Sequence, residues 1–199
     1  MSSPSGEALP RWAHEATDHD DRAAAEAGLH KVRELFQMRR PLPVEASIVG
    51  SGPGLPTRPF VVGQDEEAWL RVNNRSFAGH PDQSGWTSSD IEGREAEPWF
   101  DPAGFLLHES DDGTLVGFCW TKVHDTDPPM GEIYVIGVDP DGHGRGLGRA
   151  LVLAGLDHLA RRGLRVGMLY VESTNGPAVR LYERLGFTVH HADRAYDRR

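Results

Sequence analysis

The 199-residue sequence has a single cysteine, Cys119. This excludes an internal disulfide framework and any multi-cysteine zinc site. Flanked by apolar Val116-Gly117-Phe118 and Trp120, it reads as a small buried core residue rather than a nucleophile, and a reducing, cytoplasmic compartment is expected. No apolar run approaches the roughly 20 residues a membrane span needs. Met1-Ser2-Ser3-Pro4-Ser5-Gly6 lacks the basic-then-apolar order of a signal peptide. Cationic residues are in deficit, with 21 Lys and Arg against 30 Asp and Glu and a net charge of −9. Nucleic acid and anionic membranes, both drawn by excess Lys and Arg, are therefore not expected partners. The ten histidines show no metal-ligand spacing, and adjacent His190 and His191 on a strand should point apart, so no metal is expected.

Glycine (23) and proline (14) are plentiful. At roughly 150 residues per domain the length gives about 1.3 domains. Eight of the glycines and prolines fall between Pro41 and Pro59, a stretch that cannot sustain a helix or a central strand and reads as a linker over 43–56. Before it, Leu9–His14 is expected as a strand. A helix capped by Asp18 follows and stops at Gly28, and then comes an extended Leu29–Arg40. Ala27-Gly28-Leu29 and its Arg39-Arg40 end echo Leu185-Gly186-Phe187 and the final Arg198-Arg199. Residues 1–42, too few to bury a core alone, thus read as the tail of a first repeat whose earlier elements are absent.

Residues 57–199 read as one α/β domain. The expected elements are a strand Thr57–Val62, and a helix capped by Asp65 with Trp69, Val72 and Phe77 on one face. A second helix starts at a Thr87/Asp90 capping box. A hairpin of Gly104–Glu109 and Leu115–Val123 turns at Asp112-Gly113. A strand Gly131–Val138 leads to a helix Leu147–Arg162 facing inward through Leu147, Ala150, Leu151 and Ala154. A strand Val166–Val171, a helix Pro177–Leu185 facing inward through Ala178, Leu181 and Leu185, and one or two strands over Phe187–Tyr196 complete it.

Chemistry concentrates where the strand ending at Val138 meets a turn containing Gly142, Gly144, Gly146 and Gly148, with a helix starting at once. Such glycines permit positive φ and converge several N–H groups on one point. With the positive helix end they make an anion site, to which Arg145 and Arg149 can add charge; a pyrophosphate is the natural guest. A P-loop would need Lys then Ser or Thr where Leu147 and Gly148 stand. A dinucleotide fingerprint would need its third glycine where Arg149 stands.

His143-Gly144-Arg145-Gly146-Leu147-Gly148 resembles the acetyl-CoA loop of GCN5-related N-acetyltransferases (GNAT), usually Arg/Gln-x-x-Gly-x-Gly/Ala, departing from it at His143. Asn175-Gly176-Pro177-Ala178-Val179-Arg180-Leu181-Tyr182 through Gly186-Phe187 resembles the family's second block. Leu70–Thr87, Trp99–Pro102, Trp120–His124, Gly131–Tyr134 and Leu169–Ser173 are similar to the mycothiol synthases, an actinobacterial branch of two tandem domains. Trp12–His14 and Glu34–Arg40 resemble the end of that branch's first domain.

The resemblance implies a GNAT fold, with a mixed sheet flanked by helices, and direct acetyl transfer from acetyl-CoA to an amine, which must first lose a proton. It assigns Glu132 as base or water relay and Tyr182 as proton donor to the departing thiolate. The backbone of Ile136, Gly137 and Val138 would hold the pantetheine arm and stabilise an oxyanion. His143, Gly144, Arg145, Gly146, Leu147, Gly148 and Arg149 would hold the pyrophosphate, with Asn175, Gly176, Pro177, Ala178, Val179 and Arg180 lining the cofactor's other side. Asp82, Lys122, Glu132 and Tyr170 would contact cysteinyl-glucosaminyl-inositol, whose cysteine amine is acetylated. Asp82 stands where the branch carries a longer acid. A monomer is expected. Two alternatives stay open: a GNAT enzyme acting on another small-molecule or N-terminal amine, and a non-catalytic acyl-CoA-binding remnant.

Overall fold

In a computed structural model the described residues are 10–50, 54–80 and 82–198. Leu9, Pro53, Pro81 and Arg199, which figure in the expectations above, lie outside them. The chain divides into two bodies, one of residues 1–39 with 169–199 and one of 40–168.

The first body joins the two ends of the sequence. It contains β1 (Arg11–Ala13), α1 (Asp18–Glu26), most of β2 (His30–Pro41), the end of β7 (Val166–Glu172), α6 (Gly176–Arg184) and β8 (Thr188–Asp197). The strand order is β1-β8-β2-β7, and β8 is antiparallel to both β1 and β2. Helix α1 is capped by Thr17, not Asp18: Thr17 and Asp20 form a capping box, because Asp18 already lies within the first turn. Arg194 on β8 donates to Glu34 of β2 (2.8 Å) and to Asp21 of α1 (2.8 Å), tying that strand and that helix to it. On α6 the buried residues are Tyr182 and, at its end, Leu185; Ala178 and Leu181 are half-buried instead of inward. The two histidines of β8 do not point apart. The β2–β8 register slips between Gln37↔His191 and Met38↔Val189, leaving His190 as an extra, bulged residue. That bulge cancels the alternation and brings the rings to 5.4 Å between centroids.

The second body holds α2 (Ala46–Val49), β3 (Arg58–Pro59), α3 (Glu66–Ser76), α4 (Ser88–Glu95), β4 (Phe105–Glu109), β5 (Leu115–His124), β6 (Met130–Val138), α5 (Leu147–Arg161) and the start of β7. The order is β7-β6-β5-β4-β3, antiparallel except for the parallel β6–β7 pair. One helical turn, α2, forms inside the expected linker where residues 45–49 are free of Gly and Pro. Strand β3 is shorter than expected. Pro59 cannot donate to a ladder, and the chain turns at Val61, whose N–H is taken by Asp65 (2.8 Å). Asp65 spends its carboxylate there and on Arg58 (2.7 and 2.8 Å), leaving α3 without a side-chain cap.

Each sheet face in this body has its own core. On one, Trp69 of α3 stands edge-on to Phe105, Phe118 and Trp120, with Val72, Ile91, Leu107 and Val135 around it. On the other, α5 buries Leu151, Val152, Leu156 and Leu159. Its inward row lies one position on from the expected one; Ala150 and Ala154 line a groove instead. The helix approaches closely because Gly155 sits over Cys119, where a Cβ would come within 2.5 Å of Sγ. Cys119 is fully buried, and burial pushes its thiol up to about 12, far from nucleophilic use. Among the described residues no helix is long and apolar enough to cross a membrane.

Candidate active site

In the second body, β6 pairs in parallel with β7 only at Gly131–Gly167 and Glu132–Met168. Beyond Glu132 the strand carries no further parallel ladder among the described residues, and it ends at Val138. The Asp139 carboxylate accepts from Arg75 (2.8 and 3.1 Å) and from the N–H of Asp141 (3.0 Å). Burial pushes its carboxyl up, but the Asp141 N–H and Arg75 outweigh this and hold it below the usual range. This fixes the turn that starts the loop. His143 Nε2 donates to the Val138 carbonyl (3.0 Å), so its ring closes the loop onto the strand. Gly144 (φ 78°) and Gly146 (φ 77°) take the left-handed conformation, which costs a side-chain-bearing residue about 1 kcal/mol or more. Gly146 is the N-cap of α5 and offers no side-chain acceptor. The first helical N–H groups, from Leu147 and Gly148 onward, have no intrahelical partner, and the helix end adds positive potential. The loop is thus fitted to an anion. Arg145 is exposed beside it, whereas Arg149 is turned the other way and donates to the Ile48 carbonyl.

At the other end of β6 the geometry depends on a bulge. Trp120 pairs with Val135 and Thr121 with Ile133, leaving Tyr134 as the extra residue. The one-residue shift moves Glu132 directly opposite Lys122 and onto its face of the sheet. Glu132 is buried (7% exposed). It does not pair with that lysine: Lys122 Nζ sits over the rings of Trp99 (4.4 Å) and Tyr134 (5.3 Å), a cation–π arrangement. Glu132 Oε2 instead meets His124 Nε2 at 2.7 Å. Burial pushes the Tyr134 phenol up. Asp82 is exposed, in a cleft of about 420 Å³ with Trp86, Ser89, Asp90 and Arg94. Its backbone holds the local turn, donating to His80 Nδ1 and accepting from Trp86 Nε1.

The first body holds the remaining candidates. Tyr170 is 40% exposed on β7, and its hydroxyl accepts from Gln37 Nε2 on β2 (2.8 Å). The Asn175 side chain caps α6 by accepting from the Ala178 N–H (3.2 Å), and Pro177 stands in the first turn. Gly176, Val179 and Arg180 continue that turn. Tyr182 is buried and packs edge-on to Phe187 (5.9 Å).

Sequence reasoning assigned no role to His124 or Gln37. His124 was within reach, since it is two residues from Lys122 on one strand and shares its face. Gln37 was not, because its partner lies 133 residues away.

Residues 67–187 match the model of the acetyltransferase (GNAT) family. A mycothiol acetyltransferase of Thermobispora bispora is 52% identical over 197 residues, covering 97% of this chain and 66% of its own length. One from Streptomyces coelicolor is 49% identical, covering 98% of this chain and 63% of its own. The chain therefore spans less than two thirds of the length of these relatives. Among solved structures, a GCN5-related N-acetyltransferase from Sphaerobacter thermophilus aligns with a TM-score of 0.75 at 28% identity, covering 93% of this chain and 57% of that one. A tandem GNAT protein of clavulanic acid biosynthesis aligns with a TM-score of 0.60 at 17% identity, covering 98% and 60%. The glycine loop between β6 and α5, the second block at α6 and these matches agree, and the chain belongs to the acetyltransferase (GNAT) family.

Proposed function

We propose that the chain is an acetyl-CoA-dependent N-acetyltransferase whose acceptor is the cysteine amine of cysteinyl-glucosaminyl-inositol, giving mycothiol. The observation that carries the acetyl-transfer reading is a buried carboxylate, Glu132, on the same strand as an anion-fitted loop. The six residue steps from Glu132 to Val138 span about 20 Å at 3.3 Å each, a reach suited to the extended arm joining the thioester of CoA to its pyrophosphate. The acceptor reading draws on the names of relatives about half identical to this chain.

Acetyl-CoA supplies an activated acetyl group as a thioester. His143 to Gly148 present backbone N–H groups to its pyrophosphate, and Arg145 adds charge. Asn175 to Arg180, at the start of α6, are the residues the family resemblance gives to the cofactor, and Ile136 to Val138 offer backbone to the arm. Glu132 takes the proton that frees the amine lone pair. Tyr182 returns a proton to the leaving thiolate. Lys122, Asp82 and Tyr170 suit a polyhydroxylated, cationic substrate: a donor for carbonyl and hydroxyl oxygens, an acceptor for ammonium, and a ring face. Residues 1–42 are read as the end of a first repeat, in line with a β2 that pairs with the last strand of the second.

The test is thiol release from acetyl-CoA by the purified chain, offered cysteinyl-glucosaminyl-inositol or a panel of other amines. Turnover with the former supports the full reading, and turnover only with another amine replaces the acceptor. No turnover with any amine, with CoA still bound, overturns the enzyme reading. Glu132→Gln is expected to lower kcat by about 10²-fold or more, with little change in acetyl-CoA affinity.

A further inference from the structure

Glu132 has a disposal problem. A base that accepts a proton at every turnover must hand it on, and this carboxylate is buried. Of the groups around it, Lys122 is directed at Trp99 and Tyr134, and as an ammonium it has no acceptor to offer. The side chain in direct hydrogen-bond contact is His124, Nε2 to Oε2 at 2.7 Å. The two side chains differ in access to water: counted over side-chain atoms alone, Glu132 is 9% exposed and His124 29%. An imidazole can take a proton on one ring nitrogen and release one from the other, so its place between a buried carboxylate and solvent is that of a relay.

We propose that His124 is the proton outlet of Glu132. The inference rests on the acetyl-transfer reading above. The proton leaves the acceptor nitrogen for Glu132 as the N–C bond to the acetyl group forms and the C–S bond to CoA breaks. It then passes from Oε2 to Nε2 of His124, and the imidazolium sheds a proton from Nδ1 to water. Glu132 ends as carboxylate and His124 as neutral imidazole, so no oxidant, reductant or further reactant is needed. Other titratable groups near the pair are Lys122 on β5, Tyr134 on β6, and Arg94 and Glu97 at the end of α4 and just beyond it.

The experiment compares the full chain with His124→Gln and His124→Gly, using acetyl-CoA and cysteinyl-glucosaminyl-inositol. Glutamine keeps an N–H to hold Glu132 but cannot relay a proton, and glycine leaves room for added imidazole. Both variants are expected to lose at least tenfold in kcat with KM for acetyl-CoA within twofold. Imidazole should restore His124→Gly in proportion to its concentration, and adding either change to Glu132→Gln should cost nothing further. Wild-type kcat in His124→Gln would overturn the relay. So would a His124→Gly loss that imidazole does not repair. If the unaltered chain turns over no amine, the acetyl-transfer reading fails and takes this inference with it.

Discussion

Glu95, at the last position of α4, is a carboxyl that the fold treats badly. Its Oε1 is buried without a hydrogen-bond partner. Burial, together with the nearby carboxylates of Glu66 and Glu92, pushes it from the ordinary 4.5 up to about 7. The folded chain therefore holds this proton more tightly than the unfolded chain. Stability is undiminished below pH 4.5 and is lost as pH rises toward and past 7. Partial exposure limits the effect to about 1–2 kcal/mol. Glu95→Gln is accordingly expected to be more stable than the parent at pH 8 and nearly equal to it at pH 5, measured by guanidinium unfolding at both values. Equal midpoints at pH 8 would show that the carboxyl ionises without penalty. Cys119 is the opposite case, a titratable group at rest in the core, as its apolar flanks in the sequence led one to expect.

Elements show where local sequence suffices and where it does not. The Thr87/Asp90 capping box forms as read, with Asp90 accepting from both the Thr87 N–H and hydroxyl (2.7 Å each), because all its partners lie within four residues. The β4–β5 hairpin and the glycine loop were legible for the same reason. The Glu132–Lys122 face was not, since it depends on the bulge at Tyr134, and a strand that alternates well in sequence gives no sign of a bulge. The inward row of α5 was missed by one position because Gly155, which has no hydropathy signal, marks its closest approach to β5. Gly155→Ala is expected to cost about 1–3 kcal/mol through overpacking against Cys119 and Ile133, read as a lowered Tm. Gly146→Ala meets open space, but at φ 77° it should strain the start of α5. There the measurement is acetyl-CoA affinity, expected to fall several-fold while Tm drops only slightly; an unchanged affinity would argue against the loop as the pyrophosphate site.

At the scale of the whole molecule, residues 10–39 supply two strands of the first body's sheet. The proline-rich stretch after Pro41 reads in sequence as a linker, and composition does not report which strands the residues before it pair with. In the first body β8 lies between β1 and β2, and nine β2 positions pair with it. Removing residues 1–39 would strip β8 of both neighbours and leave two open edges, a form prone to edge-to-edge association. The truncated chain is expected to aggregate, or to lose amide protection throughout β8, in hydrogen-exchange and light-scattering measurements. A monomeric product with β8 still protected would contradict this.

The pairing of β2 with β8 also sets a schedule for synthesis. The Arg194–Glu34 bond joins residues 160 positions apart. At roughly 5–20 residues per second, a ribosome delivers β8 on the order of ten seconds after β2. For that interval β2 waits without its antiparallel neighbour, while the residues of the second body emerge and can pack. The β2–β8 ladder therefore closes only after the residues between them have been made, a high-contact-order step.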